Sequence, residues 1–430
     1  MKLSLTKNTY LTIFYFLFIF ILIVHFFESL IHGYSKDSWQ ISEFLINYRG
    51  GFVRRGLLGE IILNLYENFG LNPYFTILIL CISAYLGLII FFVKSFIKNG
   101  YTLFVLPFVY FLGNPIINYF WVRKDILIIL IFISIIYFSI KKSNLSLIFV
   151  NLFFILGLLI HESIAFFGFP ILLLILINKN NKFYSTNFSI KSVFISIFQL
   201  LPSIFGFLCV LYFKGSQIIS GKIWDSWSSV DFPLQPMNDN LIPAAIAGLS
   251  WSLNKGLLFT VNTLKNFKND IYAPMAWFFI LLIIYYLLTN TDKLNFKILK
   301  YKPFRNINKI NISNILIFQL FTIVPLFILG WDYGRWVFFW ITSSFAIIIL
   351  VPENELLILF PKLLNYFSKN INKNLDSILS RSTGFLFLIS LIIGFPQYSW
   401  NLLTCVYNNS LVIVLQFISG YLEKILPIIF

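Results

Sequence analysis

The chain of 430 residues is 59% hydrophobic and 20% aromatic, only 11% of it is charged, and its mean hydropathy is +0.85. That composition excludes a water-soluble globular domain, which has nowhere to put so much apolar surface. The net charge of +15 rests on cations in short loops between apolar runs, a pattern that orients a membrane protein and argues against nucleic-acid binding.

A membrane-crossing helix takes about 20 apolar residues. The apolar runs predict an all-α, polytopic integral membrane protein with about twelve transmembrane helices. In chain order they lie at about 10–31, 71–93, 101–119, 125–140, 145–160, 163–178, 192–213, 273–290, 312–330, 335–351, 384–399 and 410–428. The whole of 1–430 reads as a single membrane domain, with outer loops at about 32–70 and 214–272 and a cytoplasmic connection at about 352–382. Lys94, Lys98, Lys141, Lys142, Lys179, Lys182, Lys191, the cluster Lys293 to Lys309, and Lys362 to Arg381 all fall inside when both termini are cytoplasmic.

Lys2 and Lys7 precede the apolar run Tyr10 to Val24, as in a signal peptide, but no small-residue cleavage site follows, so the run reads as an uncleaved first helix. His25, Glu28 and His32 share one face of that helix, and a metal would need further ligands that the sequence does not offer; no metal and no cofactor is expected. Next comes the segment Asn47 to Glu60, in which Arg49, Arg54 and Arg55 alternate with Gly50, Gly51, Gly56 and Gly59. Arginine forks match phosphate oxygens and keep their charge when desolvated, and glycine permits close backbone approach. The segment therefore suits a phosphate held at the membrane surface, with an interfacial helix on anionic headgroups as the alternative.

Gly113, Asn114 and Pro115 interrupt the third run and predict a broken or re-entrant helix. Arg123-Lys124-Asp125 opens the fourth, where Asp125 reads either as a helix cap or as a functional carboxylate. His161-Glu162 divides an apolar run too long for one helix and marks a tight outer turn; the pair reads as a proton acceptor or as a structural contact. The loop 214–272 holds Trp224, Asp225, Trp227, Asp231, Asp239 and Trp251, which suit a sugar or anchor an interfacial helix. A second short outer turn, Trp331-Asp332-Tyr333-Gly334-Arg335-Trp336, carries Asp332 and Arg335 three apart. The outward cations Arg49, Arg54, Arg55, Arg123, Lys124 and Arg335 oppose the charge rule that the inner lysines obey; pairing with Glu60, Asp125 and Asp332 is the structural alternative to anion binding. Cys81, Cys209 and Cys405 have no framework spacing and read as packing residues.

In its span count, in Arg123-Lys124-Asp125 opening a helix, in His161-Glu162 at an outer turn, in the Asp332 to Trp336 turn and in its long outer loop, the chain resembles the O-antigen and capsule repeat-unit polymerases of the Wzy type. More broadly it is similar to the GT-C class of polytopic membrane glycosyltransferases. It departs from the GT-C pattern of an acidic pair in the first outer loop, since Asp37 and Glu43 are widely spaced. The resemblance implies a glycosyltransferase of a bacterial inner membrane that moves a glycan from a polyprenyl-phosphate or -pyrophosphate carrier to an acceptor sugar on the extracytoplasmic face. A flippase or chain-length regulator is the implied partner protein. Arg49, Arg54, Arg55, Arg123, Lys124 and Arg335 are then expected to bind the lipid phosphate, and Glu162 with His161, ahead of Asp125, Asp37 and Asp332, to accept the proton. A transporter or flippase for a lipid-linked sugar, and a non-enzymatic membrane subunit, remain the competing readings. Walker A, GxGxxG, GxSxG and HExxH patterns are absent, so nothing in the sequence supports ATP hydrolysis, dinucleotide, serine-hydrolase or zincin chemistry.

Overall fold

The computed structural model of the protein describes residues 7–99, 112–117, 120–141, 143–181, 189–238, 240–266, 273–290, 309–330, 332–379 and 414–420. Helices are the regular elements among them, so the all-α expectation holds. The predicted runs 101–119, 384–399 and 410–428 lie wholly or mostly outside the described residues, as do Asp239, Trp331 and Cys405.

Helix α1 (Lys7–His32) ends where Gly33 takes φ +67, a left-handed cap that glycine adopts without a steric penalty. The segment predicted as the first outer loop follows, with the short α2 (Trp39–Ser42) and α3 (Leu57–Phe69). Asn72 then starts α4 (Pro73–Asn99): its Oδ1 accepts from the Tyr74 and Phe75 amides at 3.0 and 3.4 Å, and Pro73 lacks the amide hydrogen that a first-turn residue would leave unpaired. Helices α5 (Asp125–Ile140), α6 (Asn144–Ile160) and α7 (Ile164–Asn180) form an antiparallel set, with α6 and α7 joined by the turn 161–163 that the His161-Glu162 interruption predicts.

The run read as one span at 192–213 is two helices, α8 (Ile190–Gln199) and α9 (Leu201–Tyr212), bent by 61°. Pro202 explains the break, because its ring and missing N–H prevent the first helix from continuing its hydrogen-bond ladder. The segment beyond, predicted as the second outer loop, carries α10 (Gln217–Asp225), α11 (Ala244–Ala247) and α12 (Leu253–Asn266). It is sewn to the first outer loop: Trp227 Nε1 donates to the Leu45 carbonyl at 2.8 Å, Asn47 Nδ2 to Ser226 Oγ at 2.8 Å, and the Arg54 amide to the Phe213 carbonyl at 2.9 Å. Lys36 Nζ adds a bond to the Trp227 carbonyl. Trp227, expected as a sugar platform or an interfacial anchor, is instead fully buried, because its ring fills the seam between the two loops.

Helices α13 (Ala273–Thr289), α14 (Lys309–Leu329) and α15 (Tyr333–Leu350) complete the bundle. Helix α15 is almost wholly enclosed, packing on α14, α5 and α7. The connecting segment 352–382 forms α16 (Glu353–Leu359) and α17 (Lys362–Leu379), and Asn372 of α17 donates to Ser313 Oγ of α14 and accepts from the Tyr285 hydroxyl of α13. Among the described residues, three helices (Pro73–Ser95, Lys309–Leu329, Tyr333–Leu350) are long and apolar enough to cross a membrane, and the bent pair makes up to four. The other apolar helices, among them Asp125–Ile140 and Leu145–Ile160, are shorter. Phe75, Ile79, Leu86 and Ile90 of α4 are exposed along one stripe, as lipid-facing side chains are.

Candidate functional site

The starts of α5, α7 and α15 meet at one end of the bundle, under the first outer loop, and their charged residues form one network. Arg123, in the turn before α5, donates through Nε to Glu43 Oε2 at 3.1 Å and lies 3.9 Å from Asp332 Oδ2. Arg335, in the first turn of α15, grips Asp125 through Nε and NH2, each at 2.6 Å, and pairs through NH1 with Asp332. Glu43, Arg123, Asp125 and Arg335 are all buried. Trp39 Nε1 donates to Glu43 Oε2 at 3.2 Å, and its ring lies under the Arg123 guanidinium, 5.6 Å from centre to carbon.

On the other side, Arg54 NH1 reaches Glu162 Oε1 at 3.2 Å, and Arg55 Nε reaches Glu162 Oε2 at 2.8 Å while its NH2 pairs with Oε1. Two guanidiniums thus share one carboxylate. Arg54 NH2 also points at the Gly248 carbonyl at 3.5 Å, and its Nε is buried with no partner among the described residues. Lys124 joins the two halves by donating from Nζ to the Arg55 carbonyl at 2.9 Å. Arg55 has φ +65, a left-handed conformation that is costly for a residue with a Cβ and that the Lys124 bond and the Glu162 clamp hold in place.

The four glycines of the segment Asn47 to Glu60 serve packing more than ligand access. A Cβ on Gly59 would stand 1.9 Å from the Ile46 carbonyl oxygen, and one on Gly56 would stand 2.3 Å from the Tyr48 ring. Gly51, at φ +115, alone of the four has nothing within 4 Å. Glu60, expected as a partner for an outward arginine, instead accepts from the Tyr48 amide at 2.9 Å.

Electrostatics follow from this geometry. Burial raises the Glu162 carboxyl, but Arg55 and Arg54 outweigh it and hold the group well below its ordinary value. Glu43 is likewise lowered, since Arg123 and Arg335 overcome its burial. Burial, and then Arg55, push His161 well below the usual imidazole value, and its Nδ1 accepts from the Ser163 amide at 3.2 Å. Burial pushes Lys124 down to about 7.

Of the residues singled out in the sequence, the structure gathers Arg54, Arg55, Arg123, Lys124, Asp125, His161, Glu162, Asp332 and Arg335. Two stand elsewhere. Arg49 pairs with Glu67 on the exposed rim, because the turn at Gly50 and Gly51 carries it away from Arg54. Asp37 accepts from the Met237 amide at 3.3 Å and ties the two outer loops together. Glu162, expected as the proton acceptor, is clamped as a counter-ion, and its low basicity argues against that role. Sequence reasoning did not place Glu43 or Trp39 in the site; their spacing of four residues on α2, with Glu43 the sole acid of that helix and its cap, was the available signal.

The arrangement presents a surplus of guanidinium at Arg54 and Arg55 and suits an anion there. No family model matches the chain, and neither does any curated protein or solved structure.

Proposed function

We propose that the protein is a membrane glycosyltransferase that moves a glycan from a polyprenyl-phosphate or -pyrophosphate carrier to an acceptor sugar on the extracytoplasmic face, in the form of polysaccharide repeat-unit polymerisation. The reading takes the chain as a protein of a bacterial inner membrane with about twelve spans and both termini in the cytoplasm. What carries it is the sharing of Glu162 by Arg54 and Arg55, with Arg54 Nε unpartnered, at the bundle end away from Lys141, Lys179 and Lys309. A carrier phosphate is already a good leaving group. The work left to the protein is to neutralise it, to orient the acceptor hydroxyl and to take a proton. Asp332 suits that last role best: its arginine partners engage Oδ2 alone, whereas both Glu162 oxygens are taken, and among the described residues its Oδ1 has no hydrogen-bond partner.

Glycan length tests the reading. Arg54→Gln and Arg55→Gln, in protein inserted at the normal level, are expected to leave single repeat units unpolymerised, while Lys222→Ala, an exposed cation of the second outer loop, leaves chain length unchanged. Full-length polymer from both arginine variants would sink the proposal.

A flippase or transporter for a lipid-linked sugar is favoured by one observation: Gln319, mid-way along α14, is buried with Nε2 unpartnered among the described residues. The buried hydroxyls of α15 speak against a polar path, because those of Thr342, Ser343 and Ser344 bond back to carbonyls of their own helix. Purified protein in liposomes separates the two: conversion of a lipid-linked oligosaccharide marks the enzyme, and its movement across the bilayer without conversion marks the transporter.

A further inference from the structure

Four arginines and four carboxylates meet in the network: Arg54, Arg55, Arg123 and Arg335 against Glu43, Asp125, Glu162 and Asp332. Their charges cancel, so the charge of the whole cluster depends on Lys124. That side chain is completely buried, its Nζ donates to the Arg55 carbonyl at 2.9 Å and lies 5.8 Å from the Phe44 ring centre, and among the described residues it forms no ion pair. The charged groups around it are Glu43 and Arg55 from the first outer loop, with Arg54 next in chain, and Glu162 with His161 from the turn 161–163. Arg123 and Asp125 flank it in sequence, and Asp332 and Arg335 of α15 stand behind Asp125. A buried ammonium without a counter-ion is unfavourable, and burial pushes the amine down to about 7. In the unliganded protein above about pH 7 the neutral amine therefore leaves the cluster uncharged.

We propose that Lys124 is the proton-linked member of the anion site: a phosphodiester bound at Arg54 and Arg55 supplies the missing counter-charge, and Lys124 takes up a proton from solvent as the anion binds. The inference rests on the anion site of the proposed function and adds to it a residue whose charge follows occupancy. The coupling runs through a short physical path. Lys124 is bonded to the carbonyl of Arg55, whose guanidinium faces the anion, so a negative charge arriving there favours the ammonium form at short range in a poorly solvated setting. No bond is made or broken apart from the transfer of that proton from water or buffer.

Calorimetry on the purified full-length protein tests this. The probe is farnesyl methyl phosphate, a phosphodiester whose single charge does not titrate in the working range, measured in two buffers of different ionisation enthalpy. Close to one proton is expected to be taken up per diester at about pH 8 and almost none at about pH 6, with Kd rising about tenfold per pH unit above about pH 7. Lys124→Arg and Lys124→Met are expected to bind with affinity independent of pH, the methionine variant more weakly. Diester binding without proton uptake at the higher pH overturns the inference and leaves the anion site standing. Absence of binding at every pH overturns the anion site itself and the inference with it. Proton uptake that persists in Lys124→Arg assigns the proton to His161 and also overturns the proposal. The wild-type measurement decides the matter even where a Lys124 variant does not fold.

Discussion

Arg335 and Asp125 share two hydrogen bonds of 2.6 Å with neither side chain exposed, which makes each the other's necessary partner. Removing one member of such a pair leaves an uncompensated buried charge, at a cost of about 3–5 kcal/mol. Arg335→Met is therefore expected to lower the unfolding temperature of detergent-solubilised protein sharply, and Arg335→Met combined with Asp125→Leu to recover much of the loss. A different dependence attaches to Lys124. In the unfolded chain its amine holds a proton up to about 10.5, in the fold only up to about 7, so between those values the unfolded state binds more protons. Stability then rises with pH across that window, by at most about 1.4 kcal/mol per unit, and Lys124→Met removes the rise; chemical denaturation from about pH 6 to about pH 10 measures both. Glu162 has the same sign at acid pH: although burial opposes it, Arg55 and Arg54 hold its carboxyl below the ordinary value, so its contribution is full above that value and is lost as pH falls through the folded one.

At the scale of elements, α3 is held against the first outer loop by a missing side chain. A Cβ on Gly59 would meet the Ile46 carbonyl oxygen and carbon at 1.9 and 2.5 Å, and backbone cannot turn aside as a side chain can. Gly59→Ala is expected to displace α3 and to abolish or severely reduce folded protein in detergent. Gly221→Ala, in α10 with nothing within 4 Å, is expected to raise stability by about 0.5–1 kcal/mol, because alanine loses less entropy in a helix. Fluorescence-detected gel filtration after heating compares the two. The helices themselves were legible in the apolar runs, since a stretch such as Asp125–Ile140 has no other stable use. The 61° bend at Pro202 is marked in the sequence by the proline alone, because the hydropathy of the run stays high across it. The docking of α17 on α14 was not legible, for it rests on Asn372 and Ser313, polar residues that look like surface until a partner helix covers them.

Across the whole molecule the two ends of the bundle differ in chemistry. One end carries the arginine and carboxylate network beneath two interlocked loops; the other carries Lys141 over the Tyr137 ring, Lys179 on the Ser139 and Lys141 carbonyls, and Lys309 on Asp376 and Asn290. With the positive-inside rule, cysteines introduced at Ser228 and at Ser377 in an otherwise cysteine-free chain are expected to react with an impermeant maleimide from opposite sides of the membrane, Ser228→Cys from outside. Labelling of both from the same side would remove the orientation on which the proposed function depends.

Composition and hydropathy alone determined that this chain is helical, apolar and suited to a membrane, and the charge breaks at 123–125, 161–162 and 332–335 marked where its helices turn. Those properties are local: they follow from each segment's own transfer energy and backbone needs. Only the tertiary structure decided that Arg123 meets Glu43 across 80 residues and Arg335 meets Asp125 across 210, that Glu162 is clamped by two arginines, and that Lys124 is left without a counter-charge. Which charge neutralises which depends on how the helices pack side by side, and a run of apolar residues carries almost no record of its neighbour.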